Sequence, residues 1–91
     1  MKFDRRRSSI EIIADMLRLG EAGKTEIMYS ANMSYFQLQK YLNFLLELKL
    51  IDKVTLGNPS MAYRVTKKGL RLLTSIDNIL ETLEFKERDN L

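Results

Sequence analysis

A mainly α-helical fold of three helices, a two-stranded β-hairpin and a long C-terminal helix is predicted for this 91-residue chain by three observations. Two capping signatures, Ser8 with Glu11 and Ser34 with Gln37, each head an apolar repeat at helical spacing. Between residues 51 and 65 the pattern becomes one of Ile51, Val54, Tyr63 and Val65 around the turn residues Gly57, Asn58, Pro59 and Ser60. A further helical repeat then runs from Leu70 to Leu83. The length suits one small domain with a single core.

The first helix is expected from Ser8, with Ile10, Ile13, Ala14 and Leu17 as its apolar side and Gly20 and Gly23 beyond its end. A second helix of two turns at most follows, with Thr25 as its cap, Ile27 and Met28 as its apolar positions and Asn32 as a left-handed residue that ends it. In the third helix, from Ser34, Tyr35, Leu38, Tyr41, Leu42, Leu45, Leu46 and Leu48 share one arc at 100° per residue. Phe36, Gln39, Lys40, Asn43 and Glu47 share the opposite arc, with Gln37 and Phe44 at its edge. The hairpin comes next, and Thr66 caps a last helix of about five turns carrying Leu70, Leu73, Ile76, Ile79, Leu80 and Leu83.

Composition narrows the function. The chain has no cysteine and no histidine, which removes thiolate chemistry, soft-metal sites and the usual general base near neutral pH. No calcium loop or phosphate-cradling glycine loop occurs, so neither an enzyme nor a bound cofactor is expected. No apolar run reaches the roughly 20 residues of a membrane span, and the N-terminus lacks a signal-type apolar segment. A cytoplasmic, nucleoid-associated location and no membrane partner are expected. The net charge of +3 is unevenly spread. Residues 61–71 hold Arg64, Lys67, Lys68 and Arg71 without an acid, whereas from residue 77 onward acids outnumber bases five to two. A basic body with an acidic end suits a polyanionic partner.

Helix, short helix, amphipathic helix and hairpin, in that order, form a winged helix-turn-helix, in which the third helix enters a groove and the hairpin is the wing. The expected organisation is a basic N-terminal arm over residues 1–7, a winged helix-turn-helix domain over 8–66 and a C-terminal dimerisation helix over 67–91. The segments "IIADML", "KTEIMYSANMSYFQLQKYLNFLLELKLI" and "YRVTKKGLRLL" also resemble the small archaeal winged-helix DNA-binding proteins of the 10a type, counted among chromatin and regulatory proteins. The resemblance runs from about Ile10 to Leu73. It implies double-stranded DNA binding and a homodimer held by antiparallel pairing of the last helices.

A face that meets the major groove needs amides and cations for base edges and phosphates, and apolar atoms for thymine methyl groups. On the third helix Ser34, Tyr35, Phe36, Gln37, Gln39, Lys40 and Asn43 are the candidates, with the helix spanning 34–48 in the groove. Gln37 is weighed mainly as a cap. Lys53 and Arg64 on the hairpin, Lys67 and Lys68 beyond it, and Arg5, Arg6 and Arg7 of the arm are candidate phosphate contacts. Lys67 and Lys68 stand at a helix N-terminus, where cations oppose the dipole, so an external anion is the expected reason for them. Leu72, Leu73, Ile76, Ile79, Leu80 and Leu83 are the candidate dimer interface. The alternative reading is a protein-interaction module in which Phe36 and Phe44 anchor a protein partner.

Overall fold

The computed structural model describes residues 8–55 and 61–90, with side chains described as far as residue 83. The arm with Arg5, Arg6 and Arg7 and the hairpin tip lie outside the described residues. The order of elements is α1 (Ser9–Arg18), β1 (Glu21–Ala22), α2 (Lys24–Ser30), α3 (Tyr35–Glu47), β2 (Ile51–Thr55), β3 (Met61–Val65) and α4 (Lys67–Asn90).

Both capping boxes form as expected. Ser8 Oγ accepts from the Glu11 amide while Glu11 Oε1 accepts from the Ser8 amide. Ser34 and Gln37 make the same reciprocal pair at 3.2 and 3.1 Å. These bonds fix the entry of α1 and α3 by satisfying amides that helices leave without partners. The cap of α2 differs from expectation. Gly23, not Thr25, is its N-cap, without a side-chain bond, and the helix is already under way at Lys24.

Asn32 has the expected left-handed backbone, φ 53°. Its amide donates to the Tyr29 carbonyl, and the Met33 amide donates to that of Met28, a Schellman closure that turns the chain from α2 into α3. The same closure ends α3, where Leu50 donates to Leu45 and Lys49 to Leu46. There the left-handed position is taken by Lys49, φ 61°. A side chain in this region costs about 1–2 kcal/mol that glycine avoids. Lys49→Gly, weighed against the entropy glycine adds to the unfolded chain, is therefore expected to stabilise the fold by up to about 1 kcal/mol. A thermal melt reads this as a rise of a few degrees, and a fall would assign the Lys49 side chain a packing role.

The sheet has three strands, ordered β1-β3-β2 and antiparallel throughout. Ile51 pairs with Val65 and Thr55 with Met61, which is the expected hairpin. The third strand, β1, sets Glu21 opposite Arg64 and Ala22 opposite Tyr63. It extends the expected two-stranded wing and ties the end of α1 to the hairpin, since Gly20, φ 79°, accepts from the Val65 amide.

The core gathers Ile12, Met16 and Leu17 of α1, Ile27 of α2, Leu38, Leu42 and Leu45 of α3, and Leu50, Ile51 and Tyr63 at the sheet. Among the described residues no polar or charged residue is buried. Ile10, expected on the apolar side of α1, is 50% exposed, and Ile12 and Met16 are buried instead. Tyr35 and Leu48 of the apolar arc of α3 are also exposed.

α4 has 24 residues, about 36 Å at 1.5 Å per residue, and so runs beyond the roughly five turns of its apolar repeat. Thr66 caps it as expected, its Oγ1 accepting from the Gly69 amide at 3.0 Å. The same hydroxyl donates to the Lys49 carbonyl at 2.8 Å, which binds the start of α4 to the end of α3. Arg18 of α1 pairs with Asp77 of α4 at 3.0 Å.

Candidate nucleic-acid interface

The outer side of α3 is left open by the fold. Phe36 is 73% exposed and Phe44 46%, so neither residue is buried. At 100° per residue Phe36, Lys40, Asn43 and Glu47 fall within about 60° of one another, a narrow stripe along the helix. All four are exposed. Lys40 Nζ stands 6.0 Å from the centre of the Phe36 ring, a cation–π spacing across one turn. Lys24 of α2 stands 5.7 Å from the ring of Tyr35, so the first turn of α3 carries two rings, each with a lysine.

The amides divide three ways. Gln37 is held by its capping bond to Ser34, as expected of it. Gln39 is half-buried, and its Oε1 is enclosed with no hydrogen-bond partner among the described residues. The fold thus draws in a residue that periodicity assigns to the open face. Asn43 is exposed, and among the described residues its side chain makes no hydrogen bond. Ser9 and Ile13 of α1 with Gln37, Lys40, Tyr41 and Phe44 of α3 line an open groove of about 450 Å³ beside this face. Its floor is fixed by Tyr41, whose hydroxyl donates to Ser9 Oγ at 3.1 Å.

The cations beyond α3 separate in the same manner. Arg64 is engaged by Glu21, with Nε 2.9 Å from Oε1, directly across the β1–β3 pairing. Lys68 donates to the Leu48 carbonyl at 2.9 Å. Its ammonium opposes the dipole of α4 but favours that of α3, whose last turn carries no base of its own. An external anion is therefore not needed to account for Lys68, a local reason that sequence spacing alone does not reveal. Lys53 and Lys67 are exposed, without an ion pair among the described residues.

The hydrophobic stripe of α4 is also divided. Leu72 and Leu73 pack against the core and Ile76 is buried by the chain's own body. Leu80 is half-buried, whereas Ile79 is 54% and Leu83 59% exposed. Among the described residues no group of acids forms a metal cage, and no helix is long and apolar enough to cross a membrane.

Comparison with known proteins agrees with this architecture. A family model described as winged helix-turn-helix matches residues 6–84. The uncharacterised protein MJ0287 of Methanocaldococcus jannaschii is 31% identical over 84 residues, covering 89% of this chain and 81% of that protein. Among solved structures, Sso10a-2 of Sulfolobus solfataricus, described as a DNA-binding protein, superposes with a TM-score of 0.82 at 30% identity, over 92% of this chain and 90% of its own. ZitR of Lactococcus lactis, solved in complex with DNA, has a TM-score of 0.72 at 18% identity. This chain is covered to 97% and ZitR to 62%, a likeness of fold alone. The chain belongs to the winged helix-turn-helix family, and within it to the archaeal 10a type that Sso10a-2 represents.

Proposed function

We propose that the chain binds double-stranded DNA as a homodimer, with α3 in the major groove, and acts as a transcriptional regulator or chromatin-associated protein. The observation that carries this reading is the open stripe of α3, where an exposed ring, a lysine and an amide lie in line on a helix fixed at both ends. Lys53 of β2 and Lys67 of α4 supply exposed cations from the neighbouring elements. The description of Sso10a-2 as DNA-binding supports the same partner. Dimerisation would be carried by Ile79 and Leu83, with Leu80 beside them, where the apolar stripe of α4 leaves the body.

Salt-dependent binding to mixed-sequence duplexes tests the partner. Each phosphate neutralised contributes about 0.9 to the slope of log K against log salt. Lys53→Ala with Lys67→Ala is expected to lower the slope by roughly 1 to 2, about equally for all sequences. Lys68→Ala should in addition lower the melting temperature, because its ammonium donates to the Leu48 carbonyl. A protein-interaction module would instead show no salt-dependent duplex binding.

A further inference from the structure

If α3 lies in the groove, its stripe is poor in polar readers. Gln37 is tied to the Ser34 amide and Gln39 is drawn inward, which leaves Asn43 as the free amide of the helix among the described residues. Phe36, by contrast, is presented on the first turn by a capping box that fixes the direction of its Cα–Cβ bond. Its edge carries no conventional donor or acceptor, and with Lys40 already 6.0 Å from the ring centre the gain open to the ring in a groove is mainly from apolar atoms. The apolar group that B-DNA offers on the floor of the major groove is the thymine C5 methyl. Lys40, 6.0 Å from the ring centre, adds a cation one turn along the same stripe, able to pair with a phosphate. Glu47, exposed at the other end of the stripe, carries a negative charge that disfavours a phosphate there, whereas the Phe36 end carries none.

We infer that Phe36 selects thymine by packing its ring on the C5 methyl, so that the preferred DNA is A·T-containing, with a base read by Asn43 about three base pairs away. The separation follows from seven residues at 1.5 Å, about 10 Å, against 3.4 Å per base step. This assignment rests on the groove-binding reading above and adds to it the base class.

The test uses the full chain and a short alternating A·T duplex, compared with the same duplex in which every thymine is replaced by deoxyuridine. Only the methyl groups are removed. The parent protein is expected to bind the thymine duplex about fourfold more tightly for each methyl buried. Phe36→Ala should bind both duplexes alike, at the level of the parent on deoxyuridine, while Phe36→Leu should keep part of the difference. Phe36 is exposed and outside the core, so a thermal melt of both variants should match the parent. Equal binding of the two duplexes by the parent overturns the inference while leaving groove binding standing, and so does discrimination that survives in Phe36→Ala. An absence of salt-dependent binding to any duplex overturns the groove reading and the inference with it.

Discussion

Gly69→Ala is expected to destabilise the protein by about 1–3 kcal/mol or more, although alanine in place of glycine inside a helix ordinarily gains up to about 1 kcal/mol. The reversal follows from packing. A Cβ at this position would lie 2.6 Å from Val65 Cγ2 and closer still to the Leu50 carbonyl oxygen. That oxygen accepts from the Thr66 amide at 3.0 Å, so it cannot withdraw without opening the junction between the end of α3 and the start of α4. Nor can α4 simply lift, because Thr66 and Lys68 are hydrogen-bonded to the Lys49 and Leu48 carbonyls beside it. For a domain of this size each kcal/mol lowers the melting temperature by about 4–8 °C. A scanning melt or urea titration of Gly69→Ala measures the loss directly. A higher melting temperature would mean that α4 does not start against Leu50. The junction also sets the position of α3 relative to Lys67, so the variant should weaken duplex binding beyond what its exposed residues explain.

The parts of the fold legible in the sequence are those decided within a few residues. Ser8 with Glu11, Ser34 with Gln37, Asn32 and Thr66 each act on amides or carbonyls less than a turn or two away, and each is found doing so. The strand β1 was not legible, because Glu21 and Ala22 carry no strand preference of their own and pair only when β3, more than forty residues on, lies beside them. The face of α1 is legible at Ala14 and Leu17, which are buried, but not at Ile10, for a related reason. Its apolar residues support two overlapping helical series, and which one is buried depends on what α3 and the sheet present to it. Tertiary contact then selected Ile12 and Met16 over Ile10.

The candidate site divides along the same line. Exposure of Phe36, Lys40 and Asn43 follows from helical period alone, and the commitment of Gln37 to a cap follows from its spacing to Ser34. The engagement of Arg64 and Lys68 depends on partners distant in sequence, Glu21 and Leu48, and the enclosure of Gln39 Oε1 does not follow from helical period. A count of bases between residues 61 and 71 therefore overstates the cations free to meet phosphate. Lys53, Lys67 and Arg71 are exposed with neither an ion pair nor a side-chain hydrogen bond among the described residues.

Replacing Ile79 and Leu83 together by aspartate is expected to convert the protein from dimer to monomer without unfolding it. On α4, Leu72, Ile76, Ile79 and Leu83 lie within about 60° of one line at 100° per residue. The body of the same chain covers this line at Leu72 and Ile76 and leaves it open at Ile79 and Leu83. In the proposed homodimer this open continuation of the stripe is the seam of the helix pair. Carboxylates at both open positions would have to be buried unpaired in such a pair, at a cost of several kcal/mol, large against the stability of a short two-helix contact. Because Ile79 and Leu83 lie outside the core, the melt of the monomeric body should change little, in contrast to Gly69→Ala. Duplex binding should fall on the order of 10²-fold, since one of two linked contacts with the DNA is lost. Sedimentation equilibrium across a concentration series reads the assembly, and titration with a duplex carrying two half-sites reads the consequence. A parent protein that sediments as a monomer at every concentration would remove the pairing from α4. A double variant that remains dimeric would place the two-fold contact on another face, with the groove between α1 and α3, lined by Ile13, Tyr41 and Phe44, as the next surface to test.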